Sequence, residues 1–489
     1  MNSTFTRATV RGVFWTYLSF YLGKLLVLVS TVILARLLTK SDFGVVSFAL
    51  LLIGFLEMIN NAGISSALIY YQDDERAVST AFWLDLGVGI LMFAGTWLVA
   101  PLAASYFDDP RVVELVRIFA FLFLISSLED VPKALLTREL SFGVKFIPDT
   151  LQAVTKGFIA ILGAVMGLGV WSLVIAHICG ALVSMITFWR IVPWRPRFEV
   201  SNEWIRSIFS YGGGIVATNI LSYILVNIDY LFVGFFLGAT ALGVYTIAFR
   251  IPDLLIVQFC SLVGKVIFPV YAKMKNNPDT LNKAFLMTMS YVSIITIPIG
   301  LGLMLIAEPL ILTLFTDKWS DAIPVVRAIA LYALFLSLAY NATHVYKARA
   351  EISLMTKISA LRATILIPAL WWASSQLGTI EAVGWTHALV AFIGGAFNLV
   401  VAARIMNTSL RSVIATLRPA IIAGGLMSVM VLGALYLSSS FSSWLQLVVG
   451  ITTGLVSYVT ILSIIQKGIF RETWKIFRSS MSAGSQFAE

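Results

Sequence analysis

Six charged residues interrupt long apolar runs: Lys24, Glu57, Asp85, Lys156, Asp229 and Arg250. A charge inside a membrane-spanning helix costs roughly 2.5–3.5 kcal/mol on insertion scales, so it persists where it faces a bundle interior or a wet cavity. The three cations could meet an anionic group. The three carboxylates could carry a coupling proton or sodium ion. Lys24 shares a helix face with Tyr17, Tyr21 and Thr31, at spacings of 4, 3 and 7. Asp229 shares one with Thr218 and Ser222, and Asn219, Tyr223 and Tyr230 lie beside it. Polar and aromatic stripes of this kind suit a wet cavity that holds sugar rings. Tyr17, Tyr21, Asn219, Ser222, Tyr223 and Tyr230 are therefore the sugar-contact candidates. A plainer alternative stays open: internal ion pairing, for example Lys24 with Asp229 or Arg250 with Asp253, that only holds helices together. Lys156, about two turns into its helix, could also snorkel to the surface.

Composition says what carries these residues. The chain has 489 residues, 59% hydrophobic and 12% charged, and its mean hydropathy is +0.91. Soluble domains have about 45–50% apolar and about 25% charged residues, so this is a membrane protein. The net charge of +9 does not point to nucleic acid, because the basic residues are scattered through short loops. Cys179 and Cys260 both lie in apolar runs and read as packing residues. His177, His344 and His387 show no ligand spacing. Gly23-Lys24 and Gly264-Lys265 are not followed by Ser or Thr, so there is no phosphate-binding loop of the Walker type. No metal or cofactor is expected beyond a coupling ion. The loops are short, about 20 residues at most, which disfavours a polymerase or ligase and any other enzyme.

A spanning helix needs roughly 20 apolar residues. That ruler gives about 14 candidates, in the pattern six, six and two. The first six lie near 13–38, 43–66, 79–104, 111–128, 148–167 and 170–190. The next six lie near 208–234, 240–263, 284–307, 322–345, 356–377 and 380–403. Two more follow near 412–437 and 442–466. The expected fold is thus all-α and polytopic. Its parts are a six-helix bundle over 1–192, a connector over 193–207, a second bundle over 208–405, two further helices over 406–466 and a tail over 467–489. With the N-terminus inside, about 25 of the 34 Lys and Arg residues fall in cytoplasmic segments. Both termini are therefore expected to be cytoplasmic.

The two bundles carry matching segments. The skeleton L-x4-[FL]-G-V-x-[ST]-x-A pairs Leu38 with Leu237, Gly44 with Gly243, Val45 with Val244 and Ala49 with Ala248. Phe107–Asp109, Val116-Arg117, Glu139 to Lys145 and Arg190-Ile191 have ordered echoes at Phe315–Asp317, Val326-Arg327, Glu351 to Lys357 and Arg404-Ile405. Duplicated units are the usual build of secondary transporters.

Three further stretches carry a resemblance. They are Ala35-Arg36-Leu37-Leu38 to Asp42-Phe43-Gly44, Phe268-Pro269-Val270-Tyr271-Ala272-Lys273, and Leu314-Phe315 to Lys318-Trp319 with Ile323-Pro324-Val325. With these the chain resembles, over nearly its whole length, Wzx-type polysaccharide flippases of the multidrug/oligosaccharidyl-lipid/polysaccharide (MOP) superfamily, in particular the colanic acid exporter branch. The resemblance implies two six-helix repeats around a central cavity, with two extra helices, in the bacterial inner membrane. It implies an undecaprenyl-diphosphate-linked oligosaccharide as substrate, membrane lipid as surroundings, and a polysaccharide polymerase and co-polymerase as partners. Lys24, Arg250 and Lys156 then become diphosphate candidates, and Glu57, Asp85 and Asp229 coupling carboxylates. The competing expectations are an ion-coupled drug or metabolite antiporter of the same fold and a non-transporting scaffold of an assembly complex.

Overall fold

The computed structural model describes residues 23–60, 68, 75–107, 109–139 and 141–466. Tyr17 and Tyr21, and the side chains of Thr218 and Asn219, lie outside the described residues. All the regular structure among the described residues is helical. The long helices in chain order are α1 (23–37), α2 (Lys40–Asn60), α3 (Glu75–Phe107), α4 (Arg111–Arg138), α5 (Phe142–Val165) and α6 (Val170–Ile191). Asn202–Pro252 bends at Gly238, where φ is 82°. It is therefore two helices, α7 (202–237) and α8 (239–274), the latter passing through a π-helical turn at Asp253–Val257. After them come α9 (Pro278–Leu305), α10 (Ala322–Ala348), α11 (Ile352–Trp372), α12 (Ile380–Ile405), α13 (Leu410–Leu437) and α14 (Ser443–Ile465). A short helix, Ala307–Leu314, follows α9.

Among the described residues ten segments are long and apolar enough to cross a membrane, and one of them, Ser222–Met274, holds the bent pair. With α1, α4 and α5, which are not among the ten, the long helices of the described residues number about fourteen. Several boundaries differ from the hydropathy reading. α4 runs ten residues past Leu128, to Arg138, and α7 starts at Asn202 rather than 208. Hydropathy stops a helix at its first charges. The backbone continues through them where its side chains have polar surroundings.

The chain forms two compact units, Met1–Thr246 and Ile247–Glu489, and the division falls within α8. In the first unit α3 pairs with α4, α5 pairs with α6, and α4 also packs on α6 and α2. The start of α2 is a capping box. Thr39 donates its N–H and its hydroxyl to Asp42 Oδ2 at 3.0 and 2.7 Å, and Asp42 N–H returns a bond to the Thr39 hydroxyl at 3.1 Å. Arg111, at the start of α4, donates to Ser41 at 2.7 Å and pairs with Asp109 at 2.7 Å. Those bonds hold the Asp109 carboxyl below the usual carboxylate range.

The connector after α6 is fastened to the start of α3. Trp83 Nε1 donates to the Arg197 carbonyl at 2.8 Å, and its ring stacks on Phe198 at 4.6 Å. Arg197 pairs with Glu75 at 2.9 Å, and Ser201 N–H donates to the Thr80 hydroxyl at 3.1 Å. Trp83→Ala removes one hydrogen bond and two ring contacts, with Phe198 and Phe82. It should cost about 1–3 kcal/mol. Faster proteolysis within 193–201 and a lower melting temperature would report the loss; unchanged protection would show that the connector is held elsewhere.

The second unit is centred on α10, which packs against α8, α9 and α12. Its core includes Tyr271, Phe285, Met289, Val345, Tyr346 and Ala402. The polar atoms in that core are paired: Tyr271 donates to Asn341 at 2.9 Å, and Asn341 donates to the Phe285 carbonyl at 3.2 Å. α13 lies along α9, with Gly424 against Ile297. α14 packs on α13 and donates from Tyr458 to the Ile294 carbonyl at 2.8 Å. The last two helices are thus part of this unit's packing.

Candidate functional site

A cavity of about 360 Å³ lies within the first unit, between α2, α4, α5 and α6. Glu57 lines it from α2 and Lys156 from α5. Two candidates far apart in the sequence are thus brought together. Ser126, Glu129, Asp130 and Lys133 reach the same space from one face of α4, as their spacing of three or four requires. Lys133 Nζ donates to Glu129 Oε1 at 3.4 Å, one turn away. Glu129 Oε2 has no hydrogen-bond partner among the described residues. His177 closes the cavity from α6. Its Nδ1 lies 2.8 Å from the Leu173 carbonyl, which assigns that nitrogen the proton.

Asp85 belongs to the same electrostatic group. It is 1% exposed on α3, and neither carboxylate oxygen has a hydrogen-bond partner among the described residues. Asp130 acts electrostatically on both Asp85 and Glu57. The cavity wall carries three acids, Glu57, Glu129 and Asp130, against two lysines, Lys133 and Lys156, and Asp85 adds a fourth acid. A site with excess acid favours a proton or small cation over an anion. Glu129, Asp130 and Lys133 are absent from the sequence expectation because helix four was expected to end at Leu128. The signal was present: Ser126, Glu129/Asp130 and Lys133 continue a helical face across Pro132.

The other candidates have separate surroundings. Asp229 is fully buried and accepts from Tyr245 at 2.9 Å, and the Tyr230 ring meets that of Tyr245 edge-on at 5.3 Å. Tyr223 donates to the Leu51 carbonyl at 2.8 Å and presses on Gly54. Ser222 is exposed, and Lys24 is half-buried on α1. Arg250 is exposed on the part of α8 that belongs to the second unit. Asp253 accepts from Gln258 at 3.0 Å. The His387 ring lies tilted against that of Tyr332 with centroids 4.1 Å apart, and both cysteines are free thiols.

The duplicated glycines meet each other in the first unit. A Cβ on Gly44 would stand 1.7 Å from the Ala239 carbonyl oxygen, and one on Gly243 would stand 1.9 Å from the Lys40 carbonyl oxygen. Lys40 and Ala239 each lie four residues before their own glycine, so the contact is reciprocal, as a two-fold interface is. The starts of α2 and α8 therefore cross at backbone contact, which only glycine permits.

Residues 33–324 match a sequence family described as polysaccharide biosynthesis protein. The succinoglycan biosynthesis transport protein ExoT of Rhizobium meliloti is 26% identical over 98% of both chains. The lipopolysaccharide biosynthesis protein WzxC of Escherichia coli is 25% identical over 94% of this chain and 88% of its own length. Among solved structures, the lipid II flippase MurJ in its inward closed conformation superposes with a TM-score of 0.75 at 16% identity, covering 93% of this chain and 99% of MurJ. That likeness carries the MOP fold.

Proposed function

Because the chain belongs to the polysaccharide biosynthesis protein family, we propose that it flips a lipid-linked oligosaccharide across the inner membrane of a bacterium. The cargo is a repeat unit on undecaprenyl diphosphate, destined for an exopolysaccharide, capsule or O-antigen. The support is a flippase fold over nearly the whole chain, joined to relatives named for polysaccharide assembly and transport. The observation that carries the mechanism is the acid-rich cavity of the first unit. A cavity lined by Glu57, Glu129 and Asp130, with Asp85 behind it, gives an ion gradient groups on which to act. The cationic side chains Lys24 and Arg250 meet the charge of the diphosphate at stages of its passage. A diphosphate leaving water requires paired cations. In this reading 1–192 and 208–405 are the duplicated halves, and the Gly44–Gly243 crossing is the closed end of the pathway. A polymerase and co-polymerase take up the exported unit.

Deleting the gene should trap one polyprenyl-linked repeat unit in the cytoplasmic leaflet, read by leaflet-selective labelling and mass spectrometry of the lipid extract. In vesicles, collapsing the proton and sodium gradients should stop or slow flipping. Undiminished flipping that required ATP would remove the ion-coupled mechanism. Both termini are placed in the cytoplasm. A cysteine at Thr379 should then react with an impermeant thiol reagent from outside, and one at Asn277 should not. The reverse pattern would invert the topology.

A further inference from the structure

The second unit has a cavity where the first has its charged one, and its chemistry is different. A groove of about 390 Å³ lies between α10, α11 and α12. The corresponding helices of the first repeat are α4, α5 and α6. Leu361, Ile365, Ile393 and Phe397 form its rim and are exposed, so the groove is open at the surface. Arg362 stands in its wall. Among the described residues no hydrogen bond or ion pair engages Arg362. Neutralisation from its own helices is not available. α10 and α11 contain no Asp or Glu, and α12 has only Glu381 in its first turn. Glu381 precedes Ile393 by twelve residues, roughly 18 Å along the helix. A second donor faces the same space. Asn398 accepts from the Tyr346 hydroxyl at 2.7 Å on its side-chain oxygen, which leaves its amide N–H groups to donate into the groove.

Depth decides what could satisfy these donors. The span holding Arg362 is Ser353–Leu377, whose midpoint is residue 365. Arg362 is three residues from it, about 4.5 Å along the axis. With a hydrocarbon core about 30 Å thick, phosphates of resident phospholipids stay about 15 Å or more from the centre. A phosphate on its way across must pass this level. The groove is also at the small end of ligand cavities, which run about 300–1,000 Å³. That size suits one hydrocarbon chain better than two.

We propose that this groove is a mid-membrane station for the prenyl diphosphate part of the cargo, with Arg362 and the Asn398 amide on the phosphates and the apolar walls on the prenyl chain. This rests on the flipping function above and adds a binding place within it. Arg362 is outside the six charges that first stand out in the sequence.

The test uses the full chain in phosphatidylcholine nanodiscs, with p-benzoylphenylalanine at Ile365 or Ile393 and radiolabelled undecaprenyl diphosphate as probe. Photolysis should attach the probe at both positions. Arg362→Gln should lower the yield at least tenfold, and Arg362→Lys should keep much of it. A melting curve of each variant shows that it is folded. Excess phosphatidylglycerol should not compete. Binding of the probe by the unlabelled chain is measured in parallel. If the chain binds the probe but the groove is never labelled, or Arg362→Gln labels as well as the parent, the station is wrong and the flipping function stands. If phosphatidylglycerol competes equally, the groove holds a resident anionic lipid and the proposal is overturned. If the chain binds no undecaprenyl diphosphate at all, the flipping function falls with it.

Discussion

Replacing Gly44 or Gly243 by valine is expected to abolish export. Each glycine already has a carbonyl oxygen where a Cβ would stand, at 1.7 Å from Ala239 O and 1.9 Å from Lys40 O. A side chain cannot rotate out of a clash made by its own Cβ, and neither helix backbone can yield without moving as a body. Overpacking of this kind costs about 1–3 kcal/mol in ordinary cores, occasionally more. Here the whole cost falls on the arrangement in which α2 and α8 touch. The protein should still insert, because valine is more apolar than glycine. Export should drop at least tenfold, and alanine should already show much of the effect, since the clash begins at Cβ. The reciprocal geometry adds a sharper expectation: either single substitution should do nearly all the damage, and the double should do little more. Normal export by Gly44→Val at normal abundance would show that this crossing never has to close.

Asp85→Asn is the second large effect. Its carboxyl is 1% exposed and forms no hydrogen bond among the described residues, so stability has no bond there to lose. The amide has nearly the same shape but neither charges nor carries a proton. Membrane abundance should stay within about twofold, while gradient-driven flipping falls at least tenfold. Lys133→Ala should behave in the opposite way. It removes the cation paired with Glu129 and leaves that carboxylate without a hydrogen-bond partner among the described residues. The pair is partly open to solvent, which reduces the loss to about 1–2 kcal/mol. Abundance should drop, and adding Glu129→Gln should restore part of it. Full flipping by Asp85→Asn would take Asp85 out of the coupling, whatever the neighbouring carboxylates do.

Much of the fold is legible in the sequence because a bilayer enforces simple rules. Every spanning backbone must satisfy its own hydrogen bonds, so apolar runs become helices, and run lengths alone give about fourteen of them. Family membership was legible from short stretches such as Ala35–Gly44 and Phe268–Lys273. The ends of helices were not legible. Hydropathy closes α4 at Leu128, yet ten more residues are helical because Glu129, Asp130 and Lys133 find one another and the cavity. The same error concealed the candidate site, since three of its five cavity-lining Asp, Glu and Lys residues lie in the part of α4 read as loop.

The sequence by itself determined the kind of element and the approximate number of spans, because both follow from local periodicity, and its ordered matches led us to expect a duplication. It also marked Glu57, Lys156 and Asp85 as costly, since a charge in an apolar run is costly wherever the run folds. Only the tertiary structure decided that Glu57 and Lys156 share a cavity, that Asp229 is held by Tyr245, and that Tyr223 bonds to Leu51. It alone showed that Gly44 and Gly243 each lie against the helix that carries the other. The physical reason is range. Propensity and hydropathy act over a turn or two of helix, whereas these contacts join residues up to about 200 positions apart. Such contacts depend on how helices cross, which side-chain packing sets and no local pattern encodes.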